Sequence, residues 1–242
     1  MKSVISIKHL SKKIGKSEIL HDITLSIHVG EVFGFLGPNG AGKTTTMKAI
    51  LGIIEPTSGV VQIFGKIPQD ISVQQRIGFM PENTYLYKYL TGDEFLDFNG
   101  RFYSMWKERL EERKTWALQK VGLLHARNKR LNAYSKWMLQ RIGLAQTILH
   151  DPEIIFLDEP MSGLDPVWRK MVKDLMLELK ESWKTIFFNT HILSDVEDIC
   201  ESFGIICEWK LVVNMKVSEL KLPLEDFFME KIGENSTRNH IE

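Results

Sequence analysis

Residues 37–44, Gly37-Pro38-Asn39-Gly40-Ala41-Gly42-Lys43-Thr44, match the spacing G-x-x-x-x-G-K-[ST]. Glycines at that spacing let main-chain N–H groups curl around phosphate oxygens. A helix that starts where the loop ends aims its positive pole at the same anions. Lys43 adds a point charge for the β and γ phosphates, and the Thr44 hydroxyl is placed to ligate Mg²⁺. Thr45 completes the phosphate-binding set. A second candidate is the apolar run Ile154-Ile155-Phe156-Leu157, which ends in Asp158-Glu159. A buried strand would deliver both carboxylates at its C-terminal edge, where open α/β sheets bind ligands. Asp158 would hold the metal, directly or through water. Glu159 would be the base that orients or polarises an attacking water. On its own, an acidic pair after an apolar run also fits the start of a solvated loop. Its position downstream of a phosphate loop gives it chemical weight.

These residues need elements to position them. Ile23, Leu25, Ile27 and Val29 alternate with polar residues, so residues 4–30 read as half-exposed antiparallel strands. Val32 to Leu36 is short and nearly all apolar, which suits a strand buried on both faces. A helix follows Thr44 to about Leu51, and Gly59 to Gly65 reads as another strand. From about 82 to 150 the character is helical. Thr91 and Glu94 form a capping box, and Phe95, Phe98 and Phe102 follow at helical spacing. A second helix spans about Glu108 to Val121 with Gly122 as its C-terminal cap, and a third starts near Ser135. Beyond the Asp158 strand come a helix over Pro166 to Lys180, a strand over Thr185 to Phe188, a helix over Asp195 to Glu201 and a hairpin over Phe203 to Val213. Alternating strands and helices predict an α/β core with a parallel sheet. The helical block predicts an inserted subdomain, and residues 233–242 read as a polar tail.

Composition narrows the function. The 242-residue chain carries 31 basic and 31 acidic side chains, which weighs against nucleic acid as the main ligand. Its two cysteines, Cys200 and Cys207, have no metal-ligand spacing and suggest a reducing cytosol. The opening residues lack the apolar stretch of a signal peptide, and no run approaches the ~20 apolar residues that span a bilayer. A membrane role is therefore expected to be indirect.

Tyr134-Ser135-Lys136-Trp137-Met138-Leu139-Gln140-Arg141 completes the pattern. Over nearly its whole length the chain resembles the ATP-binding subunits of ABC transporters, of export type. The resemblance implies a P-loop NTPase core with an antiparallel N-terminal β part, an inserted helical subdomain and a single ABC domain over residues 1–232. It makes residues 134–141 the signature stretch, so that Ser135 and Trp137 meet the ATP of a partner subunit. It makes residues 158–165 the Walker B segment and D-loop, His191 the switch histidine at the γ-phosphate, and Ile77 to Glu82 the metal-sensing Q-loop. It implies ATP and Mg²⁺ as cofactors, a second ATP-binding subunit (identical or not) and an integral-membrane permease as partners. The expected place is the inner face of the cell membrane, held there by the permease. Tyr85, Leu86, Tyr87 and Tyr89 are candidates to receive a permease helix, or to pack within the subdomain. The rival readings are a soluble ABC ATPase and a nucleotide switch without turnover. The first usually has a coiled-coil insertion or a second cassette, which this sequence lacks. Glu159 and His191 argue against the second; Ile14 and Trp137 argue for it.

Three departures from the family pattern stand out. Ile14-Gly15 takes the place of an adenine-stacking aromatic, leaving at most aliphatic contact. Glu82 takes the place of the Q-loop glutamine and can still meet a metal or water. Trp137, Trp168, Trp183 and Trp209 fall where the pattern has glycine. Trp209 lies in the tight turn of a hairpin, and Trp183 follows a helix at a usual glycine cap. Two readings stand for these tryptophans: ordinary divergence, or codons that the source lineage reads as glycine.

Overall fold

The computed structural model describes residues 3–83 and 86–238. Tyr85 lies outside them. Two long strands, β1 (Ser3–Ile14) and β2 (Ser17–His28), pair antiparallel, and β4 (Ser58–Ile63) adds antiparallel to the far side of β1. Ile23, Leu25 and Ile27 are buried, as the period-2 pattern requires, whereas Val29 lies exposed just past the end of β2. The strands β3 (Val32–Leu36), β6 (Ile154–Asp158), β7 (Thr185–Thr190) and β8 (Ser202–Cys207) are buried along their whole length. β3 runs parallel to β7 and β8, β6 runs parallel to β7, and the short β5 (Ile77–Met80) runs parallel to β6. β9 (Lys210–Lys216) returns antiparallel to β8 and meets β2 at His21 and Lys210. The resulting sheet has the order β4-β1-β2-β9-β8-β3-β7-β6-β5.

Each central strand feeds two cores. Phe33, Phe35, Phe156 and Phe187 point to the face shared with β1, β2 and α1 (Lys43–Ile50). Leu36, Leu157, Ile186 and Phe188 point to the opposite face, which is shared with the helices of residues 92–148. Helices on both faces are what make such strands read as continuous apolar runs. On that second face α3 (Gly92–Gly100), α4 (Lys107–Lys120) and α5 (Lys136–Ile148) pack on one another. Both bonds of the expected capping box form: the Glu94 N–H donates to Thr91 Oγ1 at 3.2 Å, and the Thr91 N–H donates to Glu94 Oε2 at 2.8 Å. Cys200 and Cys207 are free thiols, and burial pushes both pKa values up, so neither is a ready nucleophile.

Several details differ from the sequence reading. β5 occupies part of the stretch read as a loop; four residues are too few to show a period. Of the aromatic row on α3 only Phe95 is buried, while Phe98 and Phe102 are exposed and stack edge to face on each other. A short α2 (Ile71–Gln74) was not expected, and α6 (Pro166–Glu181) is as expected. α7 (Leu193–Ile199) starts and ends two residues earlier than expected. α8 (Leu224–Arg238) was not expected at all. It runs through Gly233, so the composition change there is no break in secondary structure. Leu224 and Phe227 anchor this helix on the second core, a tertiary contact that its weak local pattern does not announce.

Candidate functional site

β3, β6 and β7 end side by side, and the sheet delivers three consecutive chemistries there. β3 runs into Gly37 and the loop, β6 into Asp158-Glu159, and β7 into Thr190-His191. Gly37 has a steric reason for its type: a Cβ there would meet the Ile206 carbonyl oxygen at 2.4 Å. Gly42 precedes α1 at φ 109°, a conformation open to glycine. The first N–H groups of α1 have no partner within the helix and face the loop.

A cavity of about 530 Å³ opens over this edge. Its walls include Pro38, Asn39, Gly40, Gly42, Lys43, Thr44 and Thr45, with Glu82, Glu159, Ser162 and His191 opposite. The buried Lys43 ammonium donates to the Gly37 carbonyl at 2.7 Å and lies 3.6 Å from Glu159 Oε1. The other Glu159 oxygen, Oε2, is 2.8 Å from His191 Nδ1. Lys43, Glu159 and His191 thus form one chain of contacts across the cavity. Glu159 itself sits at φ 52°, held by its N–H bond to the Asn189 carbonyl. A bulky residue in that region is strained, and such strain collects at working sites. Asp158 lies beneath the cavity and is buried; it accepts from the Thr44 hydroxyl at 3.2 Å and from Asn189 Nδ2 at 2.8 Å.

The structure therefore brings Pro38 to Gly40, Gly42 to Thr45, Glu82, Asp158, Glu159 and His191 together. Gly37 and Ala41 shape the loop from behind rather than lining the cavity. Ile14 stands 63% exposed at the hairpin end of β1, outside the cavity wall. Ile19 and Trp209 form the wall on that side instead. Ser135 and Trp137 do not line the cavity either. Ser135 caps α5 by accepting from the Met138 N–H, and the Trp137 indole is half-buried against Gly163. The neighbouring residues Lys136 and Gln140 line a second hollow that shares Glu82, Glu159 and Ser162 with the first. Asn189 and Ile19 were missed by sequence reasoning, while Ser162 fell within the 158–165 segment without a role of its own. Only the strand pairing of Asp158 with Asn189 shows the Asn189 contact, and no spacing in the chain signals it.

The ABC transporter family profile matches residues 20–162, more than half of the chain. The chain belongs to the ABC transporter ATP-binding family. It is 46% identical to an uncharacterized ABC transporter ATP-binding protein of Synechocystis over 85% of this chain and 58% of that protein. It is 38% identical to the bacitracin transport ATP-binding protein of Bacillus licheniformis, over 91% of this chain and 72% of that one. The chain spans about three fifths of the length of the first cyanobacterial relatives it matches. A solved ATP-binding subunit of an ABC transporter superposes with a TM-score of 0.88 at 28% identity, covering 95% of this chain and 99% of that one. The fold is accordingly the P-loop α/β fold of ABC ATP-binding subunits. No helix among the described residues is long and apolar enough to cross a membrane.

Proposed function

We propose that this ABC protein binds MgATP in the cavity over residues 37–45, hydrolyses it, and so powers transport through a separate integral-membrane permease. The observation that carries this reading is the convergence of Lys43, Thr44, Glu159 and His191 on one cavity above Asp158. Lys43 would hold the β and γ phosphates. The loop and first-turn N–H groups would take up their remaining oxygens. Glu159 would align the attacking water and draw on its proton, and His191 would hold the Glu159 carboxylate and contact the γ-phosphate.

The donors fit Mg²⁺: Thr44 Oγ1 and the Asp158 carboxylate are hard oxygens 3.2 Å apart, with Glu82 across the cavity. Mg²⁺ is usually bound by one or two such groups together with phosphates and water. When bound it neutralises charge between the β and γ phosphates.

Coupling to the permease would use the aromatic surface of the helical block, proposed as a subdomain of the single ABC domain. Tyr87, Tyr89, Phe98 and Phe102 are all exposed, and Tyr87 bridges Tyr89 and Phe98 with ring centroids 6.1 and 5.5 Å apart. A connected exposed aromatic patch suits a partner's apolar helix. The place of action would be the inner face of the membrane. The bacitracin transport for which the Bacillus licheniformis relative is named supports the transport reading. A second ATP-binding subunit would supply the N-terminal end of its own α5 to complete each site. The test is MgATP turnover by the purified chain, alone and reconstituted with a permease in liposomes. Turnover that the permease stimulates is the expected result; no turnover in either preparation would overturn the reading.

A further inference from the structure

Two of the tryptophans singled out in the sequence hold left-handed positions that glycine holds at the matching place of the same motifs elsewhere in this chain. Three of its helices end in the same motif. After α1 the Gly52 N–H bonds the Ala49 carbonyl and the Ile53 N–H bonds Lys48. After α4 the Gly122 N–H bonds Gln119 and the Leu123 N–H bonds Leu118. After α6 the Trp183 N–H bonds Lys180 at 2.8 Å and the Lys184 N–H bonds Leu179 at 3.1 Å. These are paired C-terminal cap bonds, and the motif sets the residue after the cap in the left-handed region. The φ values there are 71° for Gly52, 65° for Gly122 and 60° for Trp183. Trp183 makes the same bonds as the two glycines, with an indole that is 76% exposed.

The second case repeats the comparison in a turn. Ile63 and Lys66 close a two-residue turn through Phe64 at φ 54° and Gly65 at φ 77°. Cys207 and Lys210 close a similar turn between β8 and β9 through Glu208 at φ 45° and Trp209 at φ 65°. Tight hairpin turns with two positive φ values favour glycine in the second place. The turn is also tied down: the Trp209 N–H donates to the Ala41 carbonyl at 3.2 Å, and its carbonyl accepts from the His21 N–H at 2.8 Å. Its indole therefore ends in the wall of the cavity above the phosphate loop. For a bulky side chain, positive φ is a true outlier. One functional outlier could be kept by use, but Trp183 lies on open surface, away from the cavity walls. Trp137 and Trp168 sit within helices α5 and α6, and Trp168 stacks on the Arg141 guanidinium at 3.6 Å, so the backbone says nothing about them.

We propose that positions 183 and 209 are glycine in the working protein, their codons being read by a glycine-charged tRNA in the source cell. Mass spectrometry of the protein purified from its own cells tests this directly. Peptides across both positions should carry glycine; tryptophan at either position would overturn the proposal. A second arm uses the chain made with tryptophan at both positions. Trp183→Gly and Trp209→Gly should each raise Tm by about 2–4 °C and add when combined. No gain at either position would count against it. A third arm rests on the MgATP reading of the cavity, which the first two do not. Trp209→Gly should bind MgATP several-fold more tightly, since the wall loses an indole. A tenfold loss that Trp209→Phe restores would instead make Trp209 a purine platform and overturn the proposal at that position.

Discussion

Among the described residues Lys43 is the only buried cation of the cavity wall, and its position is set by carbonyl dipoles as much as by charge. The Gly37 and Pro38 carbonyls hold its ammonium at 2.7 and 3.3 Å. An anion entering the loop meets a charge that is already placed and partly desolvated, where a charge-assisted bond is strong. Lys43→Ala is therefore expected to weaken MgATP binding by roughly tenfold to a hundredfold, the weight of one to two such bonds. Titration with a fluorescent ATP analogue reads it, and unchanged affinity would remove Lys43 from the site. Glu159→Gln separates binding from chemistry. The amide can keep a bond to His191, but it cannot act as a base. Turnover is expected to fall by about 10²–10⁴-fold with nucleotide affinity retained. A loss of only a few-fold in a steady-state ATPase assay would mean that another group activates the water. Both residues were legible in the sequence because their chemistry depends on local spacing. Asn189 was not, because its partner Asp158 sits on a neighbouring strand. Ile19 was not legible for a related reason: only the fold shows that β2 brings it to the cavity wall.

At the scale of elements, the connection from α5 to β6 carries the clearest pH signal. His150 lies flat on Tyr103, with ring centroids 3.6 Å apart, and its Nε2 meets the Ile77 carbonyl of β5 at 3.0 Å. Its Nδ1 is buried without a partner. Burial, helped by Arg113 and Lys184, pushes its pKa down to about 4 from 6.5. The unfolded chain thus binds a proton between those values while the folded chain does not. Stability is then present above pH 6.5 and is lost as pH falls toward 4. The loss is on the order of 3 kcal/mol for a shift of this size. His150→Phe keeps a flat ring on Tyr103 and removes the titration. Denaturant unfolding at pH 6.5 and 4.5 should show the variant losing less stability across that interval than the parent; parallel losses would place the acid sensitivity elsewhere. Elements of this length and burial also decide what a sequence reveals. α4 and α6 announce themselves by a cap, a period and a stop signal, and both were read almost to the residue. β5 has four residues and α8 has weak patterning, so both depend on contacts that no local window contains.

In the proposed assembly a second subunit would complete each site. The loop, Asp158, Glu159 and His191 converge on one cavity, and the start of α5 borders the adjoining hollow that shares Glu82, Glu159 and Ser162 with it. Ser135 caps only one N–H of that first turn, and a helix start is suited to meet an anion held by another subunit. In a two-fold pairing the same patch is used twice, so two copies would close two sites at once. Glu159→Gln should therefore convert MgATP into a glue, because nucleotide stays bound at the interface and the dimer is stabilised by mass action. Trp137 bears on how well that interface closes. Its ring lies 3.5 Å from where a Cβ on Gly163 would stand, so it fills the space between the start of α5 and the 162–164 loop. Both segments would face the partner, and an error of ~1 Å in such a clamp can cost ~10²-fold in rate. Trp137→Gly in the Glu159→Gln background should lower the protein concentration needed for the MgATP dimer by roughly tenfold, about 1.4 kcal/mol. Sedimentation velocity with and without MgATP measures both effects. A chain that stays monomeric with MgATP would sink the paired arrangement, and a dimer equally strong with tryptophan or glycine at 137 would show that the indole does not hold the two subunits apart.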